Sequence, residues 1–308
     1  MDKEILVPLD GSELAEVVLP YAEELAVKLG TGIKLLRVVT LNMYNVYTES
    51  IEVAYSLEQT VASESSASLY LEKVRDRLKE KGIAVTLDLK RSTAAEGIID
   101  CAAEDEISLV VMATHGHSGV TRWVLGSVAN RVIKVIEKPI MLVRAKERHR
   151  TAPEQGILKR IVVPLDGSRE SEAVIPHVAW LASGLGAEVV LFQVLAGSYH
   201  TITTKGYEYT IDREQQIASA EIPAEDYLER IGKQLNENGM TLGLEVKPGN
   251  AAEEIIDFAN GIGADMIAMS INKRSSVGHW VFGSVGEKVL HRGNKPLLLV
   301  KAPGAETK

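Results

Sequence analysis

The chain has 308 residues, 45% hydrophobic and 25% charged, with a mean hydropathy of +0.02, which suits a soluble globular protein long enough for two domains. A net charge of −8 and an isoelectric point near 5.5 argue against nucleic acid or an anionic membrane as partner. The single cysteine, Cys101, excludes an intrachain disulfide and any multi-cysteine metal centre, and no apolar run approaches the ~18 residues of a membrane span.

Met1-Asp2-Lys3-Glu4 leads straight into a strand without signal-peptide shape, so the cytoplasm is the expected compartment. Ile5 to Leu9 reads as a short buried strand running into a turn at Asp10-Gly11-Ser12. Pro8 has no ladder donor and marks where pairing stops. Ser12 is a sound N-cap, with Glu13 and Glu16 set in the first turn against the helix dipole. That helix carries Leu14, Val17, Val18, Tyr21, Leu25 and Leu29 on one stripe and stops at Gly30, and Pro20 inside it predicts a bend. Strand two follows from Ile33 to Val39. Residues 40 to 60 show no clear periodicity. A helix is expected from about Val61 to Lys81, then strand three over Ala84 to Leu89 and a short helix over Ala94 to Glu104.

Leu109 to Met112 is a buried strand without polar alternation, as in a parallel sheet covered on both faces. A loop with Gly116 and Gly119 follows, then Gly126-Ser127 and a helical stripe of Val128, Val132, Val135 and Ile136. Backbone N–H groups and the helix dipole at such a strand–loop–helix junction favour an anion, and glycines let the main chain approach it closely. Taken alone, the feature fits phosphate binding and a plain tight turn equally well. Lys138-Pro139 introduces strand five, Ile140 to Val143.

The pattern then restarts. Ile161-Val162-Val163-Pro164-Leu165-Asp166-Gly167-Ser168 repeats residues 5–12 at an offset of 156, and Pro20 and Gly30 return as Pro176 and Gly186. Later the offset is 157: Gly126-Ser127 returns as Gly283-Ser284 and Lys138-Pro139 as Lys295-Pro296. This is a tandem duplication. The expected domains are residues 1–147 and 157–303, joined by a charged linker from Lys146 to Gly156. Strands alternating with helices in each half imply parallel βαβ units and an open doubly wound sheet, with a ligand crevice at the carboxyl ends of the strands.

The loop resembles the nucleotide-binding loop of the universal stress protein family, Gly-x2-Gly-x9-Gly-Ser/Thr. Gly116, nine residues, and Gly126-Ser127 keep the spacing, and Ala113 stands in place of the first glycine. The resemblance spans nearly all of both halves. It implies an α/β protein of two tandem doubly wound five-stranded parallel sheets, strand order 3-2-1-4-5, forming a pseudo-twofold pair. It also implies ATP, assisted by Mg²⁺, in the first half. Pro8 would line the adenine side, the Val38 main chain would meet the adenine edge, and Met112 and Ala113 would precede the loop on the opposite wall. Gly116, Gly126, Ser127 and Val128 would hold phosphates.

On the residues alone Asp10 fits an Asx-turn acceptor somewhat better than a carboxylate for a ribose or a phosphate-bound metal; the resemblance shifts it toward the ribose or the metal. His115 and His117 lack a third ligand for zinc. Ser127 lacks a nucleophile elbow, so no catalytic residue is expected. In the second half Ser270 and Lys273 replace loop glycines, which points to loss of ATP binding there, or else to Lys273 and Arg274 holding an anion by charge. The resulting expectation is a cytoplasmic, nucleotide-dependent stress regulator. The alternatives are an adaptor of the same fold that binds no nucleotide, and a slow ATPase using Arg122 or His117. The apolar fifth strands, Ile140–Val143 and Leu297–Val300, suggest an intramolecular pseudo-dimer, with a homodimer also open.

Overall fold

The structure is a computed structural model, and it describes residues 3–40, 50–115, 125–144, 156–196, 201–204, 207–210, 213–236, 239–271 and 283–302; for 50–60, 196, 201–219 and 236 the backbone alone is described. The chain separates into two compact units, Met1–Ile157 and Leu158–Lys308.

The first unit runs β1 (Glu4–Pro8), α1 (Glu13–Glu16), α2 (Leu19–Leu29), β2 (Gly32–Val39), α3 (Ser50–Lys79), β3 (Val85–Arg91), α4 (Ala94–Ala102), β4 (Ile107–Ala113), α5 (Ser127–Val135) and β5 (Ile140–Val143). Its strands lie in the order β3-β2-β1-β4-β5, every neighbour parallel. Ile5, Leu6, Val7, Leu109, Val110 and Val111 are fully buried, because helices cover both sheet faces.

The second unit repeats the plan: β6 (Arg160–Pro164), α6 (Arg169–Glu172), α7 (Ile175–Leu185), β7 (Glu188–Ala196), then an antiparallel ribbon of β8 (Thr201–Thr204) and β9 (Tyr207–Thr210). It continues with α8 (Arg213–Asn236), β10 (Leu242–Gly249), α9 (Ala251–Gly261), β11 (Met266–Ile271), α10 (Ser284–Arg292) and β12 (Leu297–Lys301). Its order is β10-β7-β6-β11-β12, again parallel throughout. Both units therefore have the 3-2-1-4-5 order.

Two local expectations change. The helix after β1 is not a single bent rod but two pieces, with Val18 capping the start of α2 and Pro20 in its first turn. A proline there removes an N–H that has no intrahelical acceptor anyway. Pro176 starts α7 in the same way. The proline marks a restart, not a kink. The long helix α3 also begins at Ser50, well before the apolar periodicity near Val61.

Candidate functional site

The strand order reverses between β1 and β4, and the first unit opens there into a cavity of about 310 Å³. Pro8, Asp10, Val38, Met112, Ala113, Gly126, Ser127 and Val128 all line it. Gly116, like His117, Gly119 and Arg122, lies outside the described residues.

Each wall has a local cause. β1 ends as the Leu9 N–H donates to the Leu36 carbonyl at 2.9 Å, while Arg37 Nη1 donates to the Leu9 carbonyl at 3.3 Å. Asp10 then makes the Asx-turn: its Oδ1 accepts the Ser12 N–H at 2.9 Å and the Ser12 hydroxyl. Ser12 Oγ in turn accepts the Ala15 N–H at 3.2 Å and caps α1. The carboxylate is thus held at the mouth of the cavity by the turn it builds.

The facing wall depends on a close backbone approach. Gly126 N–H donates to the Thr114 carbonyl at 3.0 Å, and a Cβ on Gly126 would stand 2.9 Å from that oxygen. Its φ of −56° is open to any residue, so contact and not backbone conformation demands the glycine. Gly126 caps α5, so the first-turn N–H groups at Ser127 and Val128, which lack intrahelical acceptors, lie beside the cavity.

Several lining or supporting residues were not singled out from sequence as binding residues. Leu36 and Ile98 add apolar wall. Gly97 lets α4 come close to β2, since a Cβ there would sit 2.7 Å from Val38 Cγ2. His115, weighed from sequence only as a zinc ligand, lines the cavity with Nδ1 3.1 Å from Thr114 Oγ1. Its Nε2 is buried without a hydrogen-bond partner among the described residues.

A second polar cluster lies among α4 and its flanking strands. Asp88, Cys101 and Glu104 bring ligand-type atoms within 4.8 Å of one another. Two ammonium groups already serve these carboxylates: Lys34 Nζ is 2.6 Å and Lys90 Nζ 3.2 Å from Glu104, and Lys90 is 3.7 Å from Asp88. Burial pushes the Cys101 thiol up to about 12, which disfavours the thiolate a metal needs. The cluster reads as a salt-bridge network.

The second unit keeps the frame and changes the filling. Asp166 Oδ1 accepts the Ser168 N–H at 2.9 Å and the Ser168 hydroxyl. Partial desolvation opposes the charge on Asp166, but these hydrogen bonds outweigh it and hold the carboxyl below its ordinary range. The Leu165 N–H donates to the Phe192 carbonyl at 2.8 Å, so Phe192 holds the place of Leu36. Its ring stacks on Phe258 with centroids 4.4 Å apart and planes 12° off parallel. Lys247 Nζ lies 4.9 Å from the Phe258 centroid. Lys273 and Arg274 lie outside the described residues.

A parallel sheet covered on both faces, present twice, with a cavity where the strand order turns, defines a tandem doubly wound α/β protein. The chain belongs to the universal stress protein family, whose sequence profile matches residues 1–144 and 158–301. It is 25% identical over 316 residues to universal stress protein Slr1230 of Synechocystis, covering 96% of this chain and 99% of that protein. Universal stress protein MJ0577 of Methanocaldococcus jannaschii is 25% identical over 158 residues, 47% of this chain and 97% of its own length. The crystal structure of a universal stress protein from Archaeoglobus fulgidus superposes with a TM-score of 0.67 at 20% identity, covering 97% of this chain and 98% of that one.

Proposed function

We propose that the first half binds ATP, assisted by Mg²⁺, and that the protein is a cytoplasmic stress regulator whose state follows nucleotide occupancy. One observation carries the reading: residues assigned to nucleotide from the loop resemblance, far apart in sequence, line a single cavity of about 310 Å³ at the reversal of strand order. That volume is within the range of small-ligand pockets, roughly 300–1,000 Å³. The residues present suit the ligand. Pro8, Leu36, Val38, Ile98 and Met112 offer an apolar slot for a flat base. The first turn of α5 suits phosphate, and Asp10 offers one carboxylate for a metal that otherwise keeps phosphate and water ligands. Bound Mg²⁺ would neutralise phosphate charge.

The engagement of Asp10 Oδ1 by both donors of Ser12 favours one rival, an adaptor of the same fold that binds no nucleotide. Calorimetry of the full chain, with mass spectrometry of nucleotide retained through purification, separates the two. One ATP per chain is expected. None, or two of equal affinity, removes the reading. The same proposal keeps the halves as an intramolecular pseudo-dimer through their apolar fifth strands; unprotected strand-five amides in hydrogen exchange of the full chain would remove that part.

A further inference from the structure

The duplicated sheet provides an internal control for what keeps the base slot open. Leu36 and Phe192 occupy one structural position: each lies opposite the proline ending the first strand of its unit, Pro8 or Pro164, and each carbonyl accepts the N–H of the following leucine, Leu9 or Leu165. Cys101 and Phe258 also correspond, each eight residues beyond its helix cap, Thr93 or Asn250. In the first unit these positions hold Leu36, which lines the cavity, and the small, fully buried thiol of Cys101, which is not itself a lining residue. In the second they hold two phenyl rings in face-to-face contact, with Phe192 fully buried.

We propose that this pair of positions is the gate for aromatic ligands: Leu36 with Cys101 leaves room for a planar base, and Phe192 with Phe258 fills the equivalent volume with the protein's own rings. The second half is then closed to adenine by side-chain volume, independently of its altered loop. Two stacked rings match the shape and stacking preference of a base against an aromatic wall, so they substitute for the ligand instead of merely narrowing its entrance. The charged surroundings follow the same division in part. Lys34 and Glu104, which flank Cys101, correspond to Val190 and Gly261, so those two charges are lost, while Glu245, the register partner of Phe192, and Lys247 keep the charges of Asp88 and Lys90.

The inference rests on the ATP reading for its ligand but is tested apart from it. The first arm measures adenosine, which has no phosphates for the loop to hold, by equilibrium dialysis against full-length protein and Phe192→Leu/Phe258→Cys. The variant should gain one adenosine-sized site per chain, with an affinity at least tenfold above any residual binding in that half. No gain in a variant that keeps its circular dichroism overturns the gate. Phe192→Leu alone serves if the double variant fails to fold, with indole as the smaller probe of the space released, and no indole binding is then the overturning result. The second arm places Leu36→Phe/Cys101→Phe in the first half, where ATP affinity should fall at least tenfold while the other half is untouched. Undiminished ATP binding by this folded variant overturns the gate and leaves the ATP reading standing. Absence of ATP binding by the unaltered chain, with adenosine gained by the Phe192→Leu/Phe258→Cys variant, removes the ATP reading and leaves the gate.

Discussion

The two halves share a strand order and differ in what fills it. In the first, a glycine at 97 admits α4 against Val38, Leu36 borders a cavity, and Lys34, Lys90 and Glu104 form a charged cluster around Cys101. In the second, Glu254 takes the place of Gly97 and leans on Gly249, whose φ of +155° and lack of a Cβ make room for it. Phe192 and Phe258 stack where the first half has Leu36 and Cys101. Main-chain bonds survive all of these exchanges, as the Leu9–Leu36 and Leu165–Phe192 pair shows at 2.9 and 2.8 Å. The fold is thus carried by backbone register and burial, while the side chains set upon it differ between the halves without disturbing it.

The comparison breaks most sharply at the paired glycines. Gly126→Ala should abolish ATP binding and destabilise the first half by about 1–3 kcal/mol, the usual cost of forcing an extra carbon into a packed site. Gly283→Ala, with nothing among the described residues within 4 Å of its Cβ position, should stay within ~0.5 kcal/mol of the parent. Urea melts followed with and without ATP decide both, and equal costs at the two sites would mean the halves use their loops alike.

The paired aspartates come next. Asp10→Ala should weaken ATP binding by roughly 1–3 kcal/mol, one charged hydrogen bond, and Asp166→Ala should leave it nearly unchanged. Identical ligand-induced thermal shifts for the parent and Asp10→Ala would return Asp10 to a pure turn role.

Acid provides a finer contrast. The Asp166 carboxyl is held below its ordinary value in the folded state, so its stabilisation is present above the unfolded pKa and lost as pH falls through the folded one. Asp166→Asn should therefore flatten the acid limb of second-half stability below about pH 4, the ordinary carboxylate range. The effect should stay under ~1 kcal/mol because the carboxylate is exposed. An unchanged limb in acid melts would show that the turn contributes the same whether or not it is charged.

The smallest signal is a rate. Cys101 is fully buried and its thiol is raised to about 12, so a thiol reagent should modify it only when the first half opens. No other cysteine exists, so labelling reports one half alone. ATP should slow it, and Phe192→Leu should not. Fast labelling of the native chain would place the opening of α4 outside global unfolding.

Much of this architecture was legible in the sequence. The repeat at 156 and 157 residues announced two units, and unbroken apolar runs such as Leu109–Met112 announced parallel strands. The residues named for the crevice within the described segments do converge, because each terminates a strand or opens a helix, and chain reversal brings those ends together. What stayed hidden depends on packing rather than pattern. The break at Val17–Val18 was masked by an apolar stripe that continues across it. Gly97 looked like an ordinary helix glycine until Val38 stood beside it. Phe192 reads as one more apolar strand residue, and only its ring against Phe258 gives it a meaning. His115 carried a signal, a polar residue just past a buried strand, but one that does not distinguish metal from ligand.

The bond from Gly126 N–H to the Thr114 carbonyl, 3.0 Å long, ties together the two ends of the eleven residues between them. Once a loop's ends are fixed by the body that carries it, its length matters little: doubling it costs only about 0.6 kcal/mol in closure entropy. The clasp therefore fixes a socket whose stability should respond little to added length between Thr114 and Gly126, with β4 and α5 staying in register.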